Sequence, residues 1–256
     1  MPMDLKAILA GPQIRPRRII IHGTEGIGKS SWAAKASRPI FLPTEEGLDN
    51  IDVPRFPLIT SFQDLIDAAK VLYESDHKYE TAVVDSLDAL ERIIWKQVCE
   101  NESVVTLQKI GYGKGFDYAL DYWAEFLQAM SALRDHRNMT VILIAHTGTE
   151  RISNPEDTDY ERFAPRVHKK ASALLVEWAD EVFFACYRQF VHKADAKDKK
   201  GKAVSTGERI LRTVGRPSFA AKNRLNITED LPLSWEAYAK YLPGQKDNGK
   251  EKKGKA

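Results

Sequence analysis

Apolar runs at residues 17–22 (RRIIIH), 40–42, 81–85 (TAVVD) and 140–145 (TVILIA) alternate with segments of helical periodicity. Such short β-branched runs predict strands buried on both faces. Between them, apolar positions recur every three or four residues and predict helices over 30–36, 61–73, 87–99, 116–134 and 171–178. The helix at 61–73 opens with Ser61 and Asp64 at capping-box spacing and places Phe62, Leu65, Ile66, Ala69 and Leu72 on one face. In 116–134, Phe116, Leu120, Trp123, Leu127 and Met130 follow the same rule and read as core. Strands are also predicted at 181–187 and 209–214. This alternation predicts an α/β fold with a mainly parallel central sheet flanked by helices.

The chain has 256 residues, 43% hydrophobic and 29% charged, with a net charge of +2. Bulk charge therefore imposes no nucleic-acid partner. Two stretches are locally basic: residues 188–202 at +4 and residues 245–256 at +3. Both are poor in apolar residues and are expected to lack fixed structure. Subtracting these seven charges from +2 leaves the rest near −5. Two cysteines, Cys99 and Cys186, exclude a disulfide framework. The six histidines show no metal-ligand spacing. No apolar run approaches the roughly 18 residues of a membrane span, and residues 1–18 lack a signal-type apolar stretch. A cytoplasmic chain with no membrane association is expected.

The chemistry begins at Gly23-Thr24-Glu25-Gly26-Ile27-Gly28-Lys29-Ser30, a full GxxxxGK[ST] match between a strand and a helix. Glycines let the backbone curl so that amides converge on phosphate oxygens. Lys29 supplies charge to the β/γ-phosphates, the Ser30 hydroxyl can ligate Mg²⁺, and Ser31 closes the loop. ATP and Mg²⁺ are the expected ligands. Asp85 ends an apolar strand about 55 residues later. An acid there either holds Mg²⁺ through a water or caps the following helix.

The segments VVDSLDAL (83–90) and TEEGLD (44–49) resemble those of RecA-type recombinases. The resemblance implies a RecA-like P-loop NTPase domain over 1–243, followed by a Lys/Gly-rich tail at 244–256. It makes Glu45 the residue that activates the attacking water, with Glu46 the adjacent alternative. It also places His146, at the end of the strand TVILIA, where RecA-type proteins keep a γ-phosphate sensor, often Gln. A His capping the sheet's edge is the other reading of that position. Lys222-Asn223-Arg224 resembles the Lys-Asn-Arg-Phe-Gly motif of RadA/Sms proteins and the Lys-x-Arg element of DnaB-type helicases. Here Leu225-Asn226 replace Phe-Gly. By that resemblance, Lys222 and Arg224 reach into a neighbouring subunit's nucleotide site, which implies a filament or ring.

The whole is similar to compact phage-encoded RecA-like proteins of single-strand annealing and recombination. Single-stranded DNA, further copies of the chain and other recombination proteins are then the implied partners. Two loops are candidates for DNA. Residues 107–115 carry Lys109, Tyr112 and Lys114 among three glycines, which suits phosphate contact and base stacking. Residues 147–170, too long for a simple connection, end in Arg162, Arg166, Lys169 and Lys170. A ring translocase or helicase and a nucleotide-gated scaffold with little hydrolysis are the rival readings.

Overall fold

The computed structural model describes residues 8, 10, 11, 13–155, 157–192 and 202–243. The expected tail at 244–256 lies outside them. Five strands form a parallel sheet in the order β2 (Pro39–Pro43), β3 (Thr81–Asp85), β4 (Thr140–Ile152), β1 (Arg18–Gly23), β6 (Glu181–His192). Antiparallel β7 (Lys202–Arg212) and the two-residue β8 (Leu231–Pro232) extend it. β4 therefore lies between β1, which feeds the phosphate loop, and β3, which ends in Asp85. Strand alternation splits the apolar runs between two cores. Ile20, Val84 and Leu143 face α2 (Phe62–Glu74), α3 (Leu87–Asn101), α4 (Lys114–Arg137) and α5 (Lys169–Trp178). Ile19, Ile21, Val83 and Ile142 face the short helices α1 (Lys29–Ala33) and α6 (Trp235–Ala239).

The helices form where periodicity and caps place them. Ser61 accepts the Asp64 amide and the Asp64 carboxylate accepts the Ser61 amide, the reciprocal capping box expected for α2. Trp123, Phe126 and Met130 of α4 are fully buried.

One expectation fails, and a second fails at its two ends. Residues 147–170 are a hairpin rather than a loop: β4 runs on to Ile152 and pairs antiparallel with β5 (Tyr160–Pro165) before α5 begins. The basic stretch 188–202 is likewise entered by β6 from one side and β7 from the other, while residues 193–201 lie outside the described set. Ladder bonds are made by the backbone, so polar segments pair once a partner strand is in register.

His22, the last residue before the phosphate loop, is fully buried. Its Nε2 is 2.9 Å from the Ala220 carbonyl and its Nδ1 is 2.7 Å from Thr147 Oγ1. A carbonyl only accepts, so Nε2 carries the proton and Nδ1 accepts from the Thr147 hydroxyl. Burial pushes the imidazole down to about 4, despite its bond to Ala220. The neutral ring thus ties β1 to β4 and to the segment leading to Lys222.

A histidine neutral in the fold but charged in the unfolded chain costs stability as pH falls below its unfolded value. Urea unfolding of wild type and His22→Gln at pH 7.5 and pH 5 measures this. Wild type should lose about 2 kcal/mol more than the variant over that interval. Parallel losses would show that His22 is protonated in the fold.

Candidate nucleotide site

The loop after β1 is shaped by its glycines. Gly28 sits at φ 109°, a conformation that disfavours any side chain. At Gly23 a Cβ would lie 2.4 Å from the Ala185 carbonyl oxygen, so β6 can approach only a glycine there. Lys29, 6% exposed, folds back and donates from Nζ to the Gly23 and Thr24 carbonyls at 2.9 and 3.0 Å. Burial lowers its pKa, and Asp85, Glu25, Asp88 and Glu45 pull it back up.

Ser30 Oγ donates to Asp85 Oδ2 at 2.6 Å, across 55 residues of chain. The Asp85 carboxyl is raised by burial, which the Ser30 bond partly offsets. The helix cap at α3 is Ser86, whose side chain accepts the Ala89 amide. Asp85 is thereby left facing the phosphate loop. A hydroxyl and a carboxylate side by side form the hard-oxygen pair that holds Mg²⁺ together with substrate phosphates. The residues present therefore fit a magnesium–triphosphate ligand.

A cleft of about 260 Å³ opens over this pair, lined among others by Glu25, Glu45, Glu46 and His146. Glu45 follows β2 on a strap pinned by Thr44, whose amide donates to the Asp85 carbonyl at 2.8 Å and whose hydroxyl donates to the Ser86 carbonyl at 2.7 Å. One Glu45 oxygen is 4.0 Å from His146 Nε2 and the other is 3.9 Å from Arg92. Glu46 is exposed on the same rim. The His146 ring also stands 4.0 Å from Glu25, so it is central to the cleft rather than a cap on the sheet's edge.

Asp88 is the residue that sequence reasoning missed. Its side chain is 3% exposed. Oδ2 accepts the His146 amide at 2.7 Å, and Oδ1 accepts Arg166 Nε at 2.7 Å. Arg166 Nη1 then donates to Glu25 at 3.1 Å. Behind Asp88, Glu91 accepts the His168 amide at 2.7 Å, and burial pushes its carboxyl up to about 7. One signal was available: Glu91 stands four residues after Leu87 and three before Ile94, an acid on the buried face of α3.

The other expected residues fall into two groups. Lys222 is bridged to Val182, level with Ile20, and its ammonium donates to the Val176 carbonyl. Arg224 lies 3.5 Å from Asp180, which also takes Arg18 at 3.0 Å. Both cations therefore sit at the starting ends of β1 and β6, opposite their own phosphate loop. Of the DNA candidates, Arg162 pairs with Glu150, Arg166 with Asp88 and Glu25, and Lys170 with Asp117. Among the described residues, Lys109, Lys114 and Lys169 form no ion pair, and Tyr112 is fully exposed. The stacking of Phe116 on His168 at 4.2 Å brings the start of α4, where Lys114 stands, beside the start of α5, where Lys169 stands.

No helix among the described residues is long and apolar enough to cross a membrane. A solved structure described as the crystal structure of the RadB recombinase overlays with a TM-score of 0.45 at 12% identity, covering 88% of this chain and 90% of that one. A protein of Bacillus subtilis (strain 168), the SPbeta prophage-derived uncharacterized protein YorG, is 26% identical over 172 residues, or 65% of this chain and 49% of that protein. The chain thus spans about half the length of this curated relative. The AAA domain family AAA_24 matches residues 15–225, across the phosphate loop, Asp85, His146 and Arg224. With that match over most of its length, the chain belongs to the AAA_24 family of AAA domains and is a P-loop NTPase.

Proposed function

We propose that this protein is a RecA-like ATPase whose turnover is coupled to single-stranded DNA in phage-type recombination or annealing. The observation that carries the reading is the approach of Glu45 and His146, 4.0 Å apart, over the cradle of Lys29, Ser30 and Asp85. The RecA-type segments around Glu45 and Asp85 and the prophage origin of the relative support it.

Lys29 meets the β/γ-phosphates with a charge already desolvated, so its interaction is little screened. Mg²⁺, held by Ser30 and Asp85, would supply further neutralisation of the phosphate oxygens. Glu45 orients a water and accepts its proton. His146 reads the γ-phosphate from its ring, while its backbone amide reports to Asp88.

From Asp88 a hydrogen bond passes to Arg166, and two residues further on His168 is held by a separate bond to Glu91. His168 stacks on Phe116, beside Lys114 and Tyr112. DNA would meet this surface through Lys109, Lys114 and Lys169, with Tyr112 as the stacking ring. Lys222 and Arg224 lie at the end of the sheet away from their own nucleotide, so they act on the site of an adjoining copy. Self-association into a filament or ring then completes each site.

ATP turnover over a protein concentration series, with and without single-stranded DNA, tests this. The specific rate should rise with both, and Glu45→Gln should lower turnover by about 10²–10⁴-fold while still binding nucleotide. A flat series would contradict shared sites. A fully active Glu45→Gln would move the base elsewhere.

A further inference from the structure

By its contacts, Arg166 is tied to the phosphate loop and to the Asp88 carboxylate. It is half exposed, and its two engaged nitrogens are held by different partners, Nε by buried Asp88 and Nη1 by Glu25 of the phosphate loop. The two partners differ in kind. Asp88 is buried and also fixed by the His146 amide, so the Nε bond is a firm pivot. Glu25 is 67% exposed within the phosphate loop, where solvent screens the ion pair and leaves it weak.

The charge around the cleft points the same way. Glu25, Glu45, Glu46 and Asp85 line it against Lys29 alone, while Arg166 and Arg92 reach its rim only through Glu25 and Glu45. Lys29 is the only one of these cations that the phosphate-loop motif assigns to the triphosphate. A triphosphate entering there brings several further negative charges. The guanidinium fork offers two parallel donors matched to a phosphate edge, a better partner for Arg166 Nη1 than an exposed carboxylate.

We infer that Arg166 is a catalytic cation supplied by the same chain, parked on Glu25 and transferred to the γ-phosphoryl oxygens as the transition state forms, pivoting on Asp88. The inference rests on the ATPase reading. In the step it serves, the water oxygen bonds to the γ-phosphorus, the bond from phosphorus to the β–γ bridging oxygen breaks, and the water's proton passes to Glu45. ADP and inorganic phosphate are the products. Arg166 forms no covalent bond; its charge offsets the negative charge spread over the three equatorial oxygens. The Asp88 pivot also couples this motion to His146, whose amide shares the same carboxylate.

The test compares a fluorescent N-methylanthraniloyl ADP with and without aluminium fluoride, alongside steady-state turnover, for the full chain in magnesium buffer. Arg166→Ala should bind the ADP analogue within about two-fold of wild type. It should lose the tightening produced by aluminium fluoride, and kcat should fall by about 100-fold or more at similar KM. Arg166→Lys, which keeps the charge without the fork, should lie between. Wild-type tightening and turnover in Arg166→Ala would overturn the inference and leave the ATPase reading standing. So would an equal loss of affinity with and without aluminium fluoride, the mark of a merely structural role. Failure of the wild-type protein itself to bind the analogue or hydrolyse ATP would sink both.

Discussion

The desolvated ammonium of Lys29 is the constraint around which the rest is arranged. A buried cation is costly unless it is paired or hydrogen-bonded. Here the Gly23 and Thr24 carbonyls receive it, and those carbonyls face inward only because glycines permit the curl of the loop. The surrounding carboxylates pull its pKa back up against burial and help keep it charged. The same carboxylates make the cleft acidic, so a phosphate ligand requires cations to accompany it. The Ser30–Asp85 pair and Arg166 lie where such counter-charge is needed.

The second determinant is topological. Because β4 runs between β1 and β3, its end delivers His146 between the phosphate loop and the Glu45 strap. The strand then continues into a hairpin with β5, whose last residues carry Arg166 back over the loop. Asp88 joins these pieces by accepting from a β4 amide and from the Arg166 guanidinium. His22 makes a parallel junction below, tying β1 to Thr147 and Ala220. The phosphate loop is therefore bonded outward on two sides, through Arg166 and Asp88 to β4, and through His22 to Ala220 in the segment before Lys222.

What was legible in the sequence was local. The strands at 17–22, 81–85 and 140–145, the Ser61–Asp64 box and the phosphate loop each depend on a few consecutive residues, and all stand in the structure. The hairpin halves at 147–152 and 160–165 look like loop in the sequence because polar side chains hide a backbone pairing that only the partner strand reveals. The contacts of Arg166 are not legible locally, because its partners, Asp88 and Glu25, lie 78 and 141 residues away. Asp88 looked like an ordinary first-turn helix acid, and its burial follows from the hairpin packing over it.

The central claim is that the loop around Lys29 grips a magnesium–triphosphate. Calorimetric titration of a non-hydrolysable ATP analogue in magnesium buffer into wild type and Lys29→Ala measures it directly. The account expects saturable binding by wild type and affinity weaker by about 100-fold in the variant. Superimposable isotherms, or no binding by wild type, would contradict it.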